Sequence, residues 1–594
     1  MSLNRSDRID PLELALTAPA RYHDYRIKNY IDFEDLVLDV EILHDYKSDR
    51  IWRLEAFAHN VAQNVELIFF RTSSYHRHTF APKARLYITG RLQKNHGKLQ
   101  ILQPQKIANY KIGTIFAEYK VPMRADRFYA LKNRVLNPQN LLQEGLPQDV
   151  VDALMQIHYP CEEFFRAFKK KGEFWGRYLE ALKFTEAFWY LRKLRAKRNE
   201  VPSLCQIQKR VEPFYEQLPF KPTSDQKEAI ADIAKDLASP KAARRVIVGD
   251  VGSGKSLVMF AVAYLTYPKR AILMAPTTIL ADQLYQEAKK LLPDEIKVAL
   301  VSGESKEEDL LGYHFIIGTH ALLYRKLPKA CVVMVDEQHR FGTEQRNRLK
   351  KMVETPQGAP HFFQFSATPI PRTQAMMQSA LVDFSFIRQT PFKKDITTEV
   401  ITKKDFKRLL AHIEEEIEQG RQVLVVYPLV EGSQSHDYKS LEEAQSFWQE
   451  RFDGVFVTHG KDREKEEILR RFRSEGKILL STTVIEVGIS LPKLSTVVVV
   501  GAENMGLATL HQLRGRVSRT GLKGYCFLYT NDPNNERLQA FSKLTSGFDV
   551  AELDLRYRKA GDIVSGKDQS GKTFRWLSMA EDAKIIERAK ALLS

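Results

Sequence analysis

Two groups of residues in this 594-residue chain have the types and spacing needed to handle a nucleoside triphosphate. The first is Gly249-Asp250-Val251-Gly252-Ser253-Gly254-Lys255-Ser256, which fits the phosphate-binding pattern G-x-x-x-x-G-K-[ST]. Small residues let main-chain N–H groups close around phosphate oxygens, and the N-terminus of a following helix adds partial positive charge. In such a loop Lys255 reaches the β- and γ-phosphates and the Ser256 hydroxyl holds Mg²⁺. Gly249, Gly252, Ser253 and Gly254 supply the backbone cradle. The second group is Asp336-Glu337-Gln338-His339, directly after the apolar run Val332-Val333-Met334-Val335. Carboxylates at the carboxyl end of a buried parallel strand stand where ligands bind in open α/β sheets. There Asp336 would hold Mg²⁺, usually through water, and Glu337 would orient or deprotonate the attacking water. The competing accounts are a glycine turn that only caps a helix and a strand end with solvated carboxylates. The two groups occurring together in one chain favour the chemical reading.

Both groups need particular elements to hold them. Arg245-Val246-Ile247-Val248 predicts a buried strand leading into the loop, and Leu257-Val258-Met259-Phe260-Ala261-Val262 a packed helix leaving it. From residue 220 onward, strand and helix patterns alternate, which is the signature of doubly wound α/β folding. The alternation occurs twice, with a boundary near 391–396. Upstream the pattern differs. Residues 30–107 alternate in strand fashion, with a hairpin signal at Asn95-His96-Gly97, and predict a small barrel of the oligonucleotide-binding type. Residues from about 127 to 215 predict amphipathic helices whose aromatics, among them Phe164, Phe165, Phe184 and Phe188, belong to a core.

Composition narrows the function classes. The length calls for about four domains. The net charge of +16 suits a polyanionic partner, and residues 51–100 hold 8 Lys/Arg against 2 Asp/Glu. Phe70 and Tyr75 follow that basic β surface and are candidates for stacking on exposed bases, although Phe70 ends an alternating strand and fits a core position almost as well. The four cysteines (Cys161, Cys205, Cys331 and Cys526) have no C-x-x-C spacing, which argues against a zinc site or a disulfide framework and suits a reducing cytoplasm. The N-terminal residues lack the apolar core of a signal peptide, and no apolar run reaches membrane-spanning length. The expectation is therefore a cytoplasmic protein with no membrane association.

The ordered set of motifs resembles the superfamily-two helicases. It comprises Gln226 in Pro222-Thr223-Ser224-Asp225-Gln226, the loop at 249–256, Ala275-Pro276-Thr277, Gly318-Thr319-His320, the acidic pair, Ser366-Ala367-Thr368, Thr482 to Gly488, and Gln512-Leu513-Arg514-Gly515-Arg516-Val517-Ser518-Arg519. Asp336 to Gly342 with Gln345-Arg346, Ala367 to Thr373, and Leu510 to Val517 are more narrowly similar to the RecG family of branched-DNA translocases.

The resemblance implies a multidomain α/β architecture. It gives a short N-terminal segment (1–29), an OB-like wedge barrel (30–107), a helical linker (108–219), two RecA-like motor domains (220–390 and 391–535) and a C-terminal translocation element (536–594). It implies ATP and Mg²⁺ as cofactors and ATP-driven movement of forks and Holliday junctions. It also implies a monomer, with a single-stranded-DNA-binding protein as a partner. Gln226 would read adenine, while Gln512, Arg516 and Arg519 would complete the catalytic set with Lys255, Asp336 and Glu337. Arg516 and Arg519, three apart on an expected helix, would serve as arginine fingers from one face. Thr277, Thr319 and Thr482 would contact the DNA backbone, Ser366 and Thr368 would link the nucleotide to that track, and Arg556, Arg558 and Gln569 would couple ATP closure to movement. Three departures from the family pattern stand out: a short N-terminal segment in place of the long helical extension expected before the wedge, Ser490 where an Asp is usual, and Arg558-Lys559-Ala560-Gly561-Asp562 in place of Arg-Gly-Pro-Gly-Glu. An RNA helicase, a transcription-repair-coupling translocase and a binding scaffold with a dead ATP site are the alternatives.

Overall fold

Period-two burial shapes the first part of the chain. The computed structural model describes residues 10–31, 36–47, 51–95, 97–198, 200–303, 309–337, 341–392, 394–428, 438–460, 462, 464–482, 491–518, 521–565 and 574–593. Strands β1 (Leu38–Lys47), β2 (Trp52–Ala58), β3 (Gln63–Phe69), β4 (Arg85–Asn95) and β5 (Lys98–Lys106) form a closed barrel in the order β1-β2-β3-β5-β4. Only β3 and β5 pair in parallel. Every second residue of β2 (Trp52, Leu54, Ala56, Ala58) points into a core shared with Val40, Leu67, Phe69 and Ile88. Gly90 lets β4 serve two partners. The register slips between Thr89 and Arg91, and a Cβ at 90 would come within 2.7 Å of the Ile101 side chain. The chain bends there, so that β4 pairs with β1 on one side and β5 on the other, as closure requires.

The barrel belongs to a first compact unit, residues 1–192 with 574–578 and 582–594; the second unit holds 193–573 with 579–581. In the first unit, helices run from Ala125 onward and end in Gly176–Arg195. The C-terminal segment is fastened to that helix. The Glu186 carboxylate accepts backbone N–H bonds from Arg575, Trp576 and Leu577 (2.8, 2.8 and 2.9 Å), and Lys183 pairs with Asp582 at 2.7 Å. Residues 536–594 are thus divided between the two units rather than forming one element.

The second unit contains two all-parallel sheets. One has β6 (Arg244–Gly249), β7 (Ala271–Met274), β8 (Val298–Val301), β9 (Phe315–Gly318), β10 (Val332–Val335), β11 (His361–Ser366) and β12 (Asp383–Ile387), in the order β8-β9-β7-β10-β11-β6-β12. The other has β13 (Ile396–Ile401), β14 (Gln422–Tyr427), β15 (Val455–Thr458), β16 (Ile478–Thr482), β17 (Leu494–Val500) and β18 (Gly524–Tyr529), in the order β13-β18-β17-β14-β16-β15. Their central strands are buried throughout, as parallel strands covered on both faces must be. This architecture is the expected one.

One covalent link is not suggested by the cysteine spacing. Cys205 and Cys331 are joined as a disulfide across a sequence separation of 126 residues, with Cα atoms 5.5 Å apart. Spacing along a chain reports only local cysteine pairs. This pair is made by the fold, which lays the segment before the first sheet against the residue that opens β10.

Candidate active site

Strands β10, β11 and β6 are neighbours, so the chain segments leaving their carboxyl ends meet at one edge. These are Asp336-Glu337, Ser366-Ala367-Thr368 and the loop at 249–256. Helix α1 (Ser224–Ala238) precedes β6 and α2 (Lys255–Thr266) follows the loop. Gly252 and Gly254 both sit at φ +77°, the left-handed region that favours glycine. A Cβ at 254 would also collide with the Gln226 amide.

The loop is braced from below. Gln226 is buried in the capping box of α1, where its Oε1 accepts from Thr223 N–H (2.9 Å) and its Nε2 donates to the Ser253 carbonyl (2.8 Å). The amide expected to read adenine thus also grips the phosphate loop. Lys255 Nζ donates to the carbonyls of Gly249 (2.9 Å) and Asp250 (3.1 Å), and the buried Ser253 Oγ has no hydrogen-bond partner among the described residues. An ammonium held by its own loop and an orphaned hydroxyl fit a site that takes phosphate and its counter-ion.

The acidic pair is arranged unequally. Asp336 is buried, and burial followed by its neighbour Glu337 pushes its carboxyl well above the usual range, against the opposing charge of Lys255. Glu337 has φ +47°, a strained conformation for a non-glycine residue. Its Oε2 accepts the Ala367 N–H at 3.2 Å, so the second acid is tied to the segment after β11. Thr368 continues the chain of contacts by accepting, through its hydroxyl, a bond from Gln512 Nε2 at 2.7 Å.

A cleft of about 370 Å³ collects these residues. Its lining includes Gly252, Gly254, Lys255, Ser256, Asp336, Glu337, Gln512 and Arg516. Pro391 and Phe392 from the connection between the sheets also line it. The sequence marks that connection only as a boundary; a connection between two units that share a ligand must pass beside the cleft.

Arg516 is not on a helix. Helix α3 (Leu507–Arg514) ends at Gly515, and Arg516 follows in a turn before Ser518 at φ +62°. The expectation of one helical face for Arg516 and Arg519 is thereby overturned, because Arg516 lies beyond the end of the helix, where Gly515 presses against Val251. A Cβ at 515 would come within 2.8 Å of Val251 Cβ.

The remaining candidates lie apart from the cleft lining. Thr277 caps the helix Thr278–Leu291 and Thr319 caps the short turn at His320–Tyr324, each by accepting a backbone N–H bond. Thr319 and Thr482 are buried. Phe70 is 52% and Tyr75 61% exposed on the barrel, which removes the core reading of Phe70; buried Phe69 takes that place. Arg556 is exposed on helix α4 (Gly547–Ser565). Arg519, Ser490 and Gln569, and the side chain of Arg558, lie outside the described residues.

The comparisons agree with this architecture. The DEAD/DEAH box helicase model matches residues 223–377, and the helicase conserved C-terminal domain model matches residues 404–521. The ATP-dependent DNA helicase RecG of Helicobacter pylori (strain ATCC 700392 / 26695) is 44% identical over 565 residues, covering 93% of this chain and 90% of the relative. The RecG of Aquifex aeolicus is 31% identical, covering 93% of this chain and 77% of the relative. A solved structure of RecG bound to a three-way DNA junction is 26% identical, covers 98% of this chain and 81% of that chain, and has a TM-score of 0.58. With its barrel, its paired parallel sheets and the phosphate loop and acidic pair facing one cleft, the chain belongs to the RecG family of ATP-dependent DNA helicases.

Proposed function

We propose that this protein uses ATP hydrolysis to move branched DNA, driving branch migration at Holliday junctions and regression of stalled forks. The observation that carries the reading is the meeting of Lys255, Ser256, Asp336 and Glu337 from one sheet with Gln512 and Arg516 from the other around a single cleft. The relative seen on a three-way junction supports branched DNA as the substrate. Gln226 binds adenine while bracing the loop, and Lys255 holds the β- and γ-phosphates. Ser256 and Asp336 hold Mg²⁺, which neutralises developing phosphate charge when bound. Glu337 orients the attacking water and takes its proton. Arg516, together with Arg519, stabilises the charge that forms during transfer. Thr277, Thr319 and Thr482 position the DNA backbone without reading sequence, while Arg556, Arg558 and Gln569 couple closure to movement. The protein acts as a monomer in the cytoplasm, with a single-stranded-DNA-binding protein as a partner. Among the described residues, no helix is long and apolar enough to cross a membrane.

The deciding experiment compares forked DNA with structured RNA as stimulants of ATP turnover, with branch movement recorded in parallel. Strong stimulation by the fork, with movement, is expected; equal or greater stimulation by RNA would transfer the protein to the RNA-helicase reading. In the same assay Gln569→Ala should turn over ATP yet leave the branch in place, and parallel loss of both signals would remove its coupling role. The exposed pair Phe70 and Tyr75 gives an independent prediction. Stacking contributes roughly 1–3 kcal/mol per base, so Phe70→Ala with Tyr75→Ala should weaken fork binding while ATP turnover at saturating DNA stays near normal. Unchanged fork affinity in a fluorescence-anisotropy titration would remove both residues from the DNA interface.

A further inference from the structure

One buried polar contact between the two motor domains belongs to none of the groups above. Asp250 is the second residue of the phosphate loop and His511 lies in α3, and both are almost wholly buried. His511 Nε2 is 2.5 Å from Asp250 Oδ1, while Nδ1 is 2.9 Å from the Arg514 guanidinium. Arginine can only donate, so Nδ1 must accept; the ring proton is then on Nε2 and is donated to the carboxylate. Arg514 is itself fixed, donating to the Leu544 carbonyl at 2.6 Å with its guanidinium 4.3 Å from the Phe541 ring centroid. The other Asp250 oxygen accepts the Gly547 N–H at 2.9 Å, at the first residue of α4. Burial alone would raise the Asp250 carboxyl, but His511, Lys394 and the Gly547 N–H hold it well below the usual range.

Two glycines show how tightly this junction closes. A Cβ at 547 would come within 2.6 Å of His511 Nε2 and 2.8 Å of Asp250 Oδ1. Gly515, one residue before Arg516, has the close approach to Val251 already described. One carboxylate therefore ties three segments together: the phosphate loop, the helix that delivers Arg516 and the helix that carries Arg556 and Arg558.

We propose that Asp250 and His511, locked by Arg514, are positioning residues that set the approach of Arg516 to the γ-phosphate and carry the state of the phosphate loop to α4. This rests on the assignment of Arg516 as an arginine finger. Neither residue is part of the cleft lining, so on this proposal each side chain acts through Arg516. A buried charge that loses its partner pulls its neighbours out of place, and misplacing a catalytic group by about 1 Å can cost on the order of 10²-fold in rate.

The test uses the full chain with fork DNA. His511→Ala should lower kcat by on the order of 10²-fold while affinity for a fluorescent ATP analogue stays close to the parent's. His511→Gln keeps an N–H donor near the Nε2 position and should restore the greater part of kcat; if the alanine variant unfolds, the glutamine variant and Gly547→Ala, which wedges the junction without removing a charge, carry the test. Combined with Arg516→Ala, His511→Ala should add little further loss, because both act on one interaction. Wild-type kcat in His511→Ala beside a dead Arg516→Ala would overturn the positioning role alone. A multiplicative double variant, or matched losses of melting temperature, affinity and kcat with no rescue by Gln, would also overturn it. An active Arg516→Ala would instead overturn the finger assignment beneath it.

Discussion

Lys255→Ala should abolish ATP turnover and leave DNA binding close to the parent's. Lys255 Nζ spans the carbonyls of Gly249 and Asp250 at the mouth of the loop, where phosphate oxygens would replace them as partners. The loop also has supports other than this side chain. Gln226 holds the Ser253 carbonyl from one side, and His511 holds Asp250 from the other. Removing the ammonium therefore takes away phosphate-clamping charge without dismantling the site. That loss should lower turnover by on the order of 10²-fold or more. The barrel with Phe70 and Tyr75 lies in the other compact unit, so affinity for a fork should survive. Steady-state hydrolysis and a gel-shift titration on one preparation check both halves. Near-normal hydrolysis would remove Lys255 from the catalytic set; a parallel collapse of fork binding would mean that the variant perturbs more than the loop.

The sequence showed the site most clearly where chemistry constrains neighbouring residues. The phosphate loop is legible because Gly252 and Gly254 adopt positive φ and Lys255-Ser256 follows at once. The barrel is legible because its strands alternate with period two and Gly97 turns the hairpin at φ +79°. What the sequence hid is non-local. The Cys205–Cys331 bond joins segments far apart in the chain, and the Asp250–His511 contact joins residues 261 positions apart. No periodicity encodes such pairs, which exist only once distant segments of the chain have folded together. Arg516 misled for another reason. An i, i+3 spacing implies one helical face only while the helix lasts, and here it stops at Gly515, which presses against Val251. The exposure of Phe70 was undecided for a similar reason. Two adjacent aromatics at a strand end cannot both point inward, and the pattern alone does not say which one turns out.

Arg516→Ala should bind ATP nearly normally and fail to hydrolyse it. Arg516 is buried in the cleft lining with Lys255, Asp336 and Glu337, yet it comes from the opposite sheet, beyond the end of α3. On the proposed assignment, ground-state affinity comes mainly from the loop and Gln226, which are intact in this variant. The guanidinium would then act on charge that develops as the γ-phosphoryl group moves, so its loss should appear in kcat rather than in binding. Arginine fingers in phosphoryl-transfer enzymes contribute about 10³–10⁵-fold, and a fall in kcat of about 10³-fold or more is the expected result. Arg516→Lys should recover little of it, because a compact ammonium on a flexible stem does not reproduce a planar fork that can hold two phosphate oxygens. A titration with a fluorescent ATP analogue, followed by turnover at saturating ATP and fork DNA, separates the two parameters. If affinity fell while saturated turnover persisted, Arg516 would be a nucleotide-binding residue, and the charge stabilisation in transfer would have to come from Arg519 or another group.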